Sequence, residues 1–124
     1  MIIIPIKPKP APRPRVTRRG AYNPKEYTDY KSIIGLAYKA KFGAEKSTKP
    51  ITLAVEFIFK YPKSWSKKKK DETLYHTSKP DVDNLVKSIK DALNGIAYID
   101  DSQVWNIQAS KRYDNFEAVK IKIN

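Results

Sequence analysis

Residues 79–104 read KPDVDNLVKSIKDALNGIAYIDDSQV. This stretch contains the pattern of one complete helix between two acidic segments. Its apolar residues recur at the spacing of one helix face. They are Leu85, Val86, Ile89, Ala92 and Leu93. Asn94 and Gly95 follow and are typical of a helix end. We therefore predict a helix that begins near residues 81–83 and ends before Gly95.

The rest of the chain supplies a second helix and the strands. Asn23 as the N-cap, Pro24 at the first position and Glu26 in a capping box predict a helix that runs to Gly43. Residues 62–79 are predicted to form a polar loop. Alternating, β-branched or aromatic segments predict strands at 1–6, 51–61, 104–113 and 116–123, with a hairpin turn at 114–115 between the last two.

The order β–α–β–α–β–β predicts an α+β fold, with a small mixed or antiparallel sheet and two main helices on one face. The 124 residues are enough for a single domain. A basic, proline-rich arm at 7–23 belongs to that domain. Its alternate prolines favour an extended backbone.

Charge is the first indication of function. Lys and Arg number 25 against 13 Asp and Glu, a net charge of +12. Such an excess favours a polyanionic partner, and nucleic acid before an anionic membrane. The basic residues that we expect to contact DNA are Arg13, Arg15, Arg18, Arg19, Lys67, Lys68, Lys69, Lys70 and Lys79. The four-lysine run is also compatible with a plain solvated patch or a nuclear-localisation signal.

Several classes of protein are excluded by what the chain lacks. Without cysteine there is no disulfide scaffold, thiolate metal site or cysteine nucleophile. One histidine, His76, leaves little material for a histidine metal site or a serine triad. No apolar run approaches the ~20 residues of a membrane span, and 1–6 is too short for a signal peptide. We expect a cytoplasmic protein with no membrane partner and no small-molecule cofactor.

Acidic residues interrupt the basic sequence at two places, Asp81 with Asp83 and Asp100 with Asp101. In an extended backbone the first two carboxylates face one side, and the returning chain can bring the second pair beside them. Converging carboxylates suit Mg²⁺ or Mn²⁺, and such a site suits phosphodiester hydrolysis. The alternative is structural: helix caps at 81 and 83 and a polar turn at 100–102.

Other residues near these acids have two interpretations each. Lys87 lies one turn beyond Asp83 and either contacts the scissile phosphate or forms a surface ion pair. Asp91 is expected to face away from Asp83 as a structural acid. In the 62–79 loop, aromatic residues among lysines suit base stacking, but we expect Trp65 to anchor the loop and His76 to lie at the surface. Trp105 is expected in the core or at an interface.

Taken together, these motifs resemble the RusA family of Holliday junction resolvases. The resemblance lies in 79–87 (KPDVDNLVK), 91–95 (DALNG) and 100–104 (DDSQV). Segments 10–15 (PAPRPR) and 20–24 (GAYNP) look like the N-terminal part of phage and prophage members.

The resemblance implies a RusA-like, homodimeric, Mg²⁺-dependent endonuclease that acts in DNA recombination and repair. It implies paired, symmetric nicks in four-way junction DNA. By position, Asp81, Asp83 and Asp101 match the family's metal-binding carboxylates, Lys87 its essential lysine, and Asp100 the adjacent acid. Two alternatives stay open on composition: a non-catalytic, architectural nucleic-acid-binding protein, and a metal nuclease directed at RNA.

Overall fold

Strand β4 (Ile51–Lys60) is the centre of the sheet in the computed structural model, which describes residues 1–12, 15–17, 20–22 and 24–124. It pairs in parallel with β5 (Val104–Asp114) and antiparallel with β6 (Ala118–Ile123). The short strand β1 (Ile2–Ile4) pairs with the outer edge of β6. The result is a mixed sheet with the order β1-β6-β4-β5, as the α+β prediction requires.

The hairpin predicted at 114–115 is wrong, because β4 lies between β5 and β6. The connection from β5 to β6 passes the end of β4, where the amide of Tyr61 donates to the carbonyl of Asp114 at 3.1 Å. An apolar strand such as β4 needs hydrogen-bonding partners on both edges. Inserting it between β5 and β6 satisfies both edges. The turn signal itself is real, since Asp114 accepts from the amide of Asn115 at 2.7 Å.

Two helices cover one face of the sheet, α1 (Lys25–Phe42) and α3 (Val82–Leu93). Alternate residues of β4 point toward them, and Leu53, Val55 and Phe57 are buried there. The opposite face of the strand carries Thr52 and Glu56 among apolar residues. On that face Glu56 is paired with Arg112 at 3.2 Å and with Lys120 at 3.7 Å.

Both predicted helices form close to their predicted bounds. The stripe of α3 is buried as expected: Leu85, Val86, Ile89, Ala92 and Leu93. Helix α1 buries Tyr27, Tyr30, Ile34 and Tyr38 and ends at Gly43, whose φ is 86°. It begins one residue later than expected, after Pro24, and no side chain caps it there. Asn23, the predicted N-cap, lies outside the described residues.

The arm and the loop contain elements that the sequence did not predict. Strands β2 (Arg15–Thr17) and β3 (Gly20–Tyr22) pair as a small antiparallel ribbon. The supposed loop at 62–79 contains the short helix α2 (Lys67–Glu72), capped by Ser66 Oγ, which accepts from the amide of Lys69 at 3.2 Å. A 3₁₀ turn, Asp101–Gln103, leads into β5. Over the part of the chain described, no helix is long and apolar enough to cross a bilayer.

Candidate active site

The predicted acidic motif sits at the start of α3. Asp81 is the N-cap residue, with extended backbone at φ −70° and ψ 146°, and its side chain makes no capping hydrogen bond. Asp83 already belongs to the first helical turn. The expectation that both carboxylates extend from one side of an extended strand is therefore wrong. The carboxylate of Asp81 is not used as a helix cap.

An open groove of about 570 Å³ lies between α3 and β5. Ile107 and Ala109 of β5 and Val82 and Val86 of α3 supply its apolar lining. Charged residues from two separate segments share it: Asp83, Lys87, Lys90, Asp91 and Asp101. Three of the residues that the sequence singled out, Asp83, Lys87 and Asp101, are thus brought together at one place.

Lys87 has its ion-pair partner on the next helical turn rather than at Asp83. Its Nζ lies 3.3 Å from Oδ2 of Asp91. The same oxygen accepts from the hydroxyl of Tyr27, on α1, at 2.9 Å. The prediction that Asp91 faces away from Asp83 is wrong, because both line the groove. Burial and the bond to Asp91 raise the pKa of Tyr27, which keeps it a hydrogen-bond donor.

The acids at 100 and 101 have different surroundings. Oδ2 of Asp100 accepts from the amide of Ser102 at 3.0 Å, as part of a complete capping box with Gln103. The hydrogen bonds to Ser102 lower the pKa of Asp100. Asp101 lines the groove. The polar-turn interpretation therefore describes Asp100, and Asp101 remains the candidate for chemistry.

Asp81 lines a neighbouring pocket of about 610 Å³. Three lysines line the same pocket, Lys7 and Lys9 from the arm and Lys79 from the segment before α3. The arm is held there by a hydrogen bond of 3.0 Å from the amide of Ala11 to the carbonyl of Asn84. The carboxylate of Asp81 and the three lysines therefore line one pocket next to the groove.

The lysine run and the aromatic residues of 62–79 form a second basic surface. Lys67, Lys68, Lys69 and Lys70 lie on α2, and Lys69 Nζ stands 4.4 Å above the Trp65 ring. Trp65 packs on Tyr113 with ring centroids 4.9 Å apart, which confirms its anchoring role. His76 is buried rather than at the surface, stacked on Phe59 at 4.0 Å. Burial there, and then the charge of Lys111, lower its pKa.

Trp105 and Tyr75 are exposed aromatic residues. Trp105 is 70% exposed, so the core alternative is wrong. It occupies an irregularity in the β4–β5 register, between the partners of Ile51 and Thr52. Tyr75 is also exposed.

The arginines of the arm cannot be placed in the same way. Arg13, Arg18 and Arg19 lie outside the described residues. Arg15 belongs to β2, of which only the backbone is described.

Two residues that were not singled out as site residues support the candidate acids. Lys111 Nζ donates to the carbonyls of Ser78 and Pro80, both at 2.7 Å, immediately before Asp81. Gln103 accepts from the amide of Asp100, the residue before Asp101, and donates to the carbonyl of Ser47. The spacing of Asp100 and Gln103 is that of a capping box and could have indicated the first contact, whereas the contacts with Ser47, Ser78 and Pro80 join segments far apart in sequence.

Comparison with known families gives the deciding observation. The sequence profile described as "Endodeoxyribonuclease RusA" matches residues 5–124, nearly the whole chain. The chain belongs to the RusA family.

Two curated relatives carry part of the same similarity. One is the "Uncharacterized protein YqaN" of Bacillus subtilis (strain 168), 45% identical over 82 residues, or 61% of this chain and 58% of that protein. The other is the "Crossover junction endodeoxyribonuclease rusA" of Lactococcus phage r1t, 35% identical over 75 residues, or 60% of this chain and 53% of that protein. The aligned part thus spans little more than half of each relative.

The RusA-family chain has donors suited to a hard cation, although they are not gathered into a ready cluster. Within the residues that the structure describes, no three Asp, Glu or His side chains converge. Asp83 and Asp101 nevertheless share the groove. Mg²⁺ is commonly held by one or two carboxylates, with water and phosphate oxygens completing its shell. The donor set therefore fits Mg²⁺ or Mn²⁺.

Proposed function

We propose that this protein is an endodeoxyribonuclease that resolves four-way (Holliday) junctions with Mg²⁺ or Mn²⁺, in DNA recombination and repair. The observation that carries the proposal is the groove in which Asp83, Lys87 and Asp101 meet. Acids beside a polyanion repel it unless a cation is bound between them. Their place in a chain of net charge +12 therefore favours metal-dependent chemistry over simple coating of DNA.

The carboxylates have distinct proposed roles. Asp83 and Asp101 would hold the cation in the groove. Asp81 would join them from the neighbouring pocket, where its side chain is not engaged as a cap. Asp100 would hold the turn that presents Asp101, through its bond to the amide of Ser102. The proposal requires the acidic side chains to reorient toward one cation and one phosphate, and exposed rotamers exchange readily.

The reaction is hydrolysis of one phosphodiester bond. The oxygen of a water forms a bond to phosphorus, one ester P–O bond breaks, and the leaving alkoxide takes up a proton. A divalent cation supplies neutralisation of the phosphate charge and a more acidic bound water. Lys87 is placed to donate to a phosphate oxygen whose charge grows in the transition state. Asp91 holds Lys87 in the groove between turnovers.

Two basic surfaces are proposed to contact the DNA backbone. One consists of Lys7, Lys9 and Lys79 around Asp81. The other is α2, with Lys67, Lys68 and Lys70 beside the anchored Lys69. The arginines of the arm, Arg13, Arg15, Arg18 and Arg19, remain candidates from the sequence. Lysine and arginine side chains that bind phosphates release the counterions condensed on the DNA, so this contact weakens as the salt concentration rises.

A homodimer is part of the proposal. Resolution of a junction needs two symmetric cuts, and two active sites related by a twofold axis supply them most simply. Strand β5 forms one edge of the sheet, and Trp105 is exposed at its start. We therefore propose β5 as the interface. Tyr113, near the other end of β5, is buried inside the chain and cannot contribute.

The proposal is tested by cleavage of a synthetic four-way junction, with linear duplex as the comparison substrate. Nicking should occur on the junction with Mg²⁺ or Mn²⁺, and should stop with EDTA. Asp81→Asn should abolish nicking and retain or tighten junction binding, because it removes negative charge near phosphate. Tight binding without cutting in either metal would contradict nuclease activity and leave an architectural DNA-binding protein. Preferential cutting of RNA would contradict the substrate.

A further inference from the structure

The side chain of Gln103 has every hydrogen-bonding position in use. Its Oε1 accepts from the amides of Ile99 and Asp100, both at 2.9 Å. Its Nε2 donates to the carbonyl of Ser47 at 2.9 Å and to that of Lys49 at 3.0 Å. A carboxamide offers two donors and one oxygen with two lone pairs. This glutamine is thus fully committed to holding three stretches of backbone together.

Asp101 lies in the sequence between residues that these contacts join. Ile99 and Asp100 precede it, Gln103 follows it, and the 3₁₀ turn that carries it has no buried residue of its own. The residues of this turn are half-buried or exposed, so its hydrogen bonds contribute strongly to holding it in place. The bonds that Gln103 and Asp100 make therefore help to fix the backbone from which the Asp101 carboxylate extends.

The far end of the Gln103 contacts is anchored to the core. Ser47 donates its amide to the carbonyl of Ala97 at 2.9 Å, and Ser47 also bridges to Tyr98. Ala97 is 1% exposed and Tyr98 is fully buried. Gln103 therefore links the acidic turn, through Ser47, to buried residues of the core.

We propose that Gln103 is a positioning residue that keeps the carboxylate of Asp101 at the groove, opposite Asp83, for binding of the divalent cation. This inference rests on the proposed function. A glutamine that served only the stability of the chain would affect the melting temperature. A positioning glutamine affects metal binding while the chain stays folded. Residues that hydrogen-bond to metal ligands and orient them typically contribute 10- to 100-fold to metal affinity or activity.

The test compares Gln103→Met, which keeps the length of the side chain but none of its hydrogen bonds, with Gln103→Glu. Glutamate keeps the acceptor toward Ile99 and Asp100 and loses the donors toward Ser47 and Lys49. Ser32→Ala is the control, since Ser32 is exposed on α1 and lies outside both the groove and β5. Mn²⁺ binding is measured on the protein alone by electron paramagnetic resonance. Mg²⁺ titration of junction cleavage, junction binding in EDTA and thermal unfolding are measured alongside.

For both Gln103 variants we expect the dissociation constant for Mn²⁺ and the Mg²⁺ concentration for half-maximal cleavage to rise on the order of 10-fold or more. Junction affinity in EDTA should stay as in the wild type, and Ser32→Ala should change none of these quantities. Wild-type metal binding in a folded Gln103 variant would overturn the inference, and so would failure of both variants to fold. A wild-type protein that neither binds Mn²⁺ nor cuts would instead contradict the proposed function.

Discussion

Nζ of Lys87 lies 3.3 Å from Oδ2 of Asp91, and the hydroxyl of Tyr27 donates to the same oxygen at 2.9 Å. Asp91 thus holds Lys87, which lies on the same helix, and Tyr27 of α1 holds Asp91. Exposed pairs of this spacing contribute only about 0.3–0.5 kcal/mol to stability. The value of the arrangement therefore lies in where it places the ammonium group rather than in the stability of the fold.

The first prediction concerns this pair. Lys87→Ala should lower the single-turnover cleavage rate on the order of 100-fold or more, because it removes a donor aimed at developing charge. Asp91→Asn should cause a smaller loss, since the amide still accepts from Tyr27 but no longer holds the ammonium. Junction affinity in EDTA, measured by gel shift or anisotropy, should stay nearly unchanged in both.

A double variant checks whether Asp91 acts through Lys87. Because both residues belong to one unit, Asp91→Asn should add little to the loss already caused by Lys87→Ala. Fully additive losses would show that Asp91 has a separate role. A defect confined to binding would move Lys87 from chemistry to docking.

The second prediction separates the two adjacent acids. Asp101→Asn should abolish cleavage, whereas Asp100→Asn should leave measurable activity, because Asp100 is engaged with the amide of Ser102 and its asparagine still accepts that bond. The measurement is the single-turnover rate on a four-way junction at saturating Mg²⁺. Equal losses in the two variants would contradict the division of labour between a ligand and a cap.

The sequence predicted the elements whose pattern is local. The apolar stripe of α3 and the alternation of β4 are read directly from residue spacing, and both are confirmed. The hairpin failed because a turn signal at 114–115 says nothing about which strand lies between its neighbours. Strand order depends on long-range pairing, which local spacing does not contain.

The same distinction applies to the site. Asp91 could have been placed correctly, because eight helical residues rotate by about 80° and leave it on the side of Asp83. The contacts of Gln103 with Ser47 and of Lys111 with Pro80 could not, since these partners lie 56 and 31 residues away in sequence. The burial of His76 was equally unpredictable from a polar segment, because it depends on that segment folding over Phe59.

The third prediction concerns salt. With six or more phosphate contacts, junction affinity should fall on the order of 1,000-fold between about 50 and 200 mM salt. Lys67→Gln with Lys68→Gln should make the salt dependence shallower by about one unit of slope per lost contact. Lys69 is left in place in this variant, because it packs on Trp65.

The double variant Lys39→Gln with Lys46→Gln is the matched control, because it also removes two positive charges but from outside the two basic surfaces. Its salt slope should equal that of the wild type. A flat salt response in the wild-type protein, or equal slopes for all three proteins, would contradict phosphate contact by α2.

The fourth prediction is a pH dependence of stability from His76. Burial and then the charge of Lys111 lower its pKa from the ordinary value of 6.5. The unfolded chain therefore binds this proton at a higher pH than the folded chain does. The stability that His76 contributes is complete above about pH 6.5 and is lost as the pH falls through the lower folded pKa.

His76→Phe removes the titrating group and keeps an aromatic ring against Phe59. Between about pH 7.5 and about pH 5.5, its free energy of unfolding should fall less than that of the wild type. Urea unfolding at both pH values, followed by circular dichroism, gives the comparison. Parallel losses in the two proteins would show that His76 does not titrate in this window.

Symmetric, metal-dependent cleavage by this protein can be measured by mapping the cuts on a four-way junction labelled in turn on each of its four strands, with Mg²⁺ and with Asp83→Asn as the control. We expect paired nicks at symmetric positions in two opposing strands, and none in the variant. Nicks scattered over all four strands or equally frequent in linear duplex, or a junction bound tightly and left intact with Mg²⁺ and Mn²⁺, would contradict it.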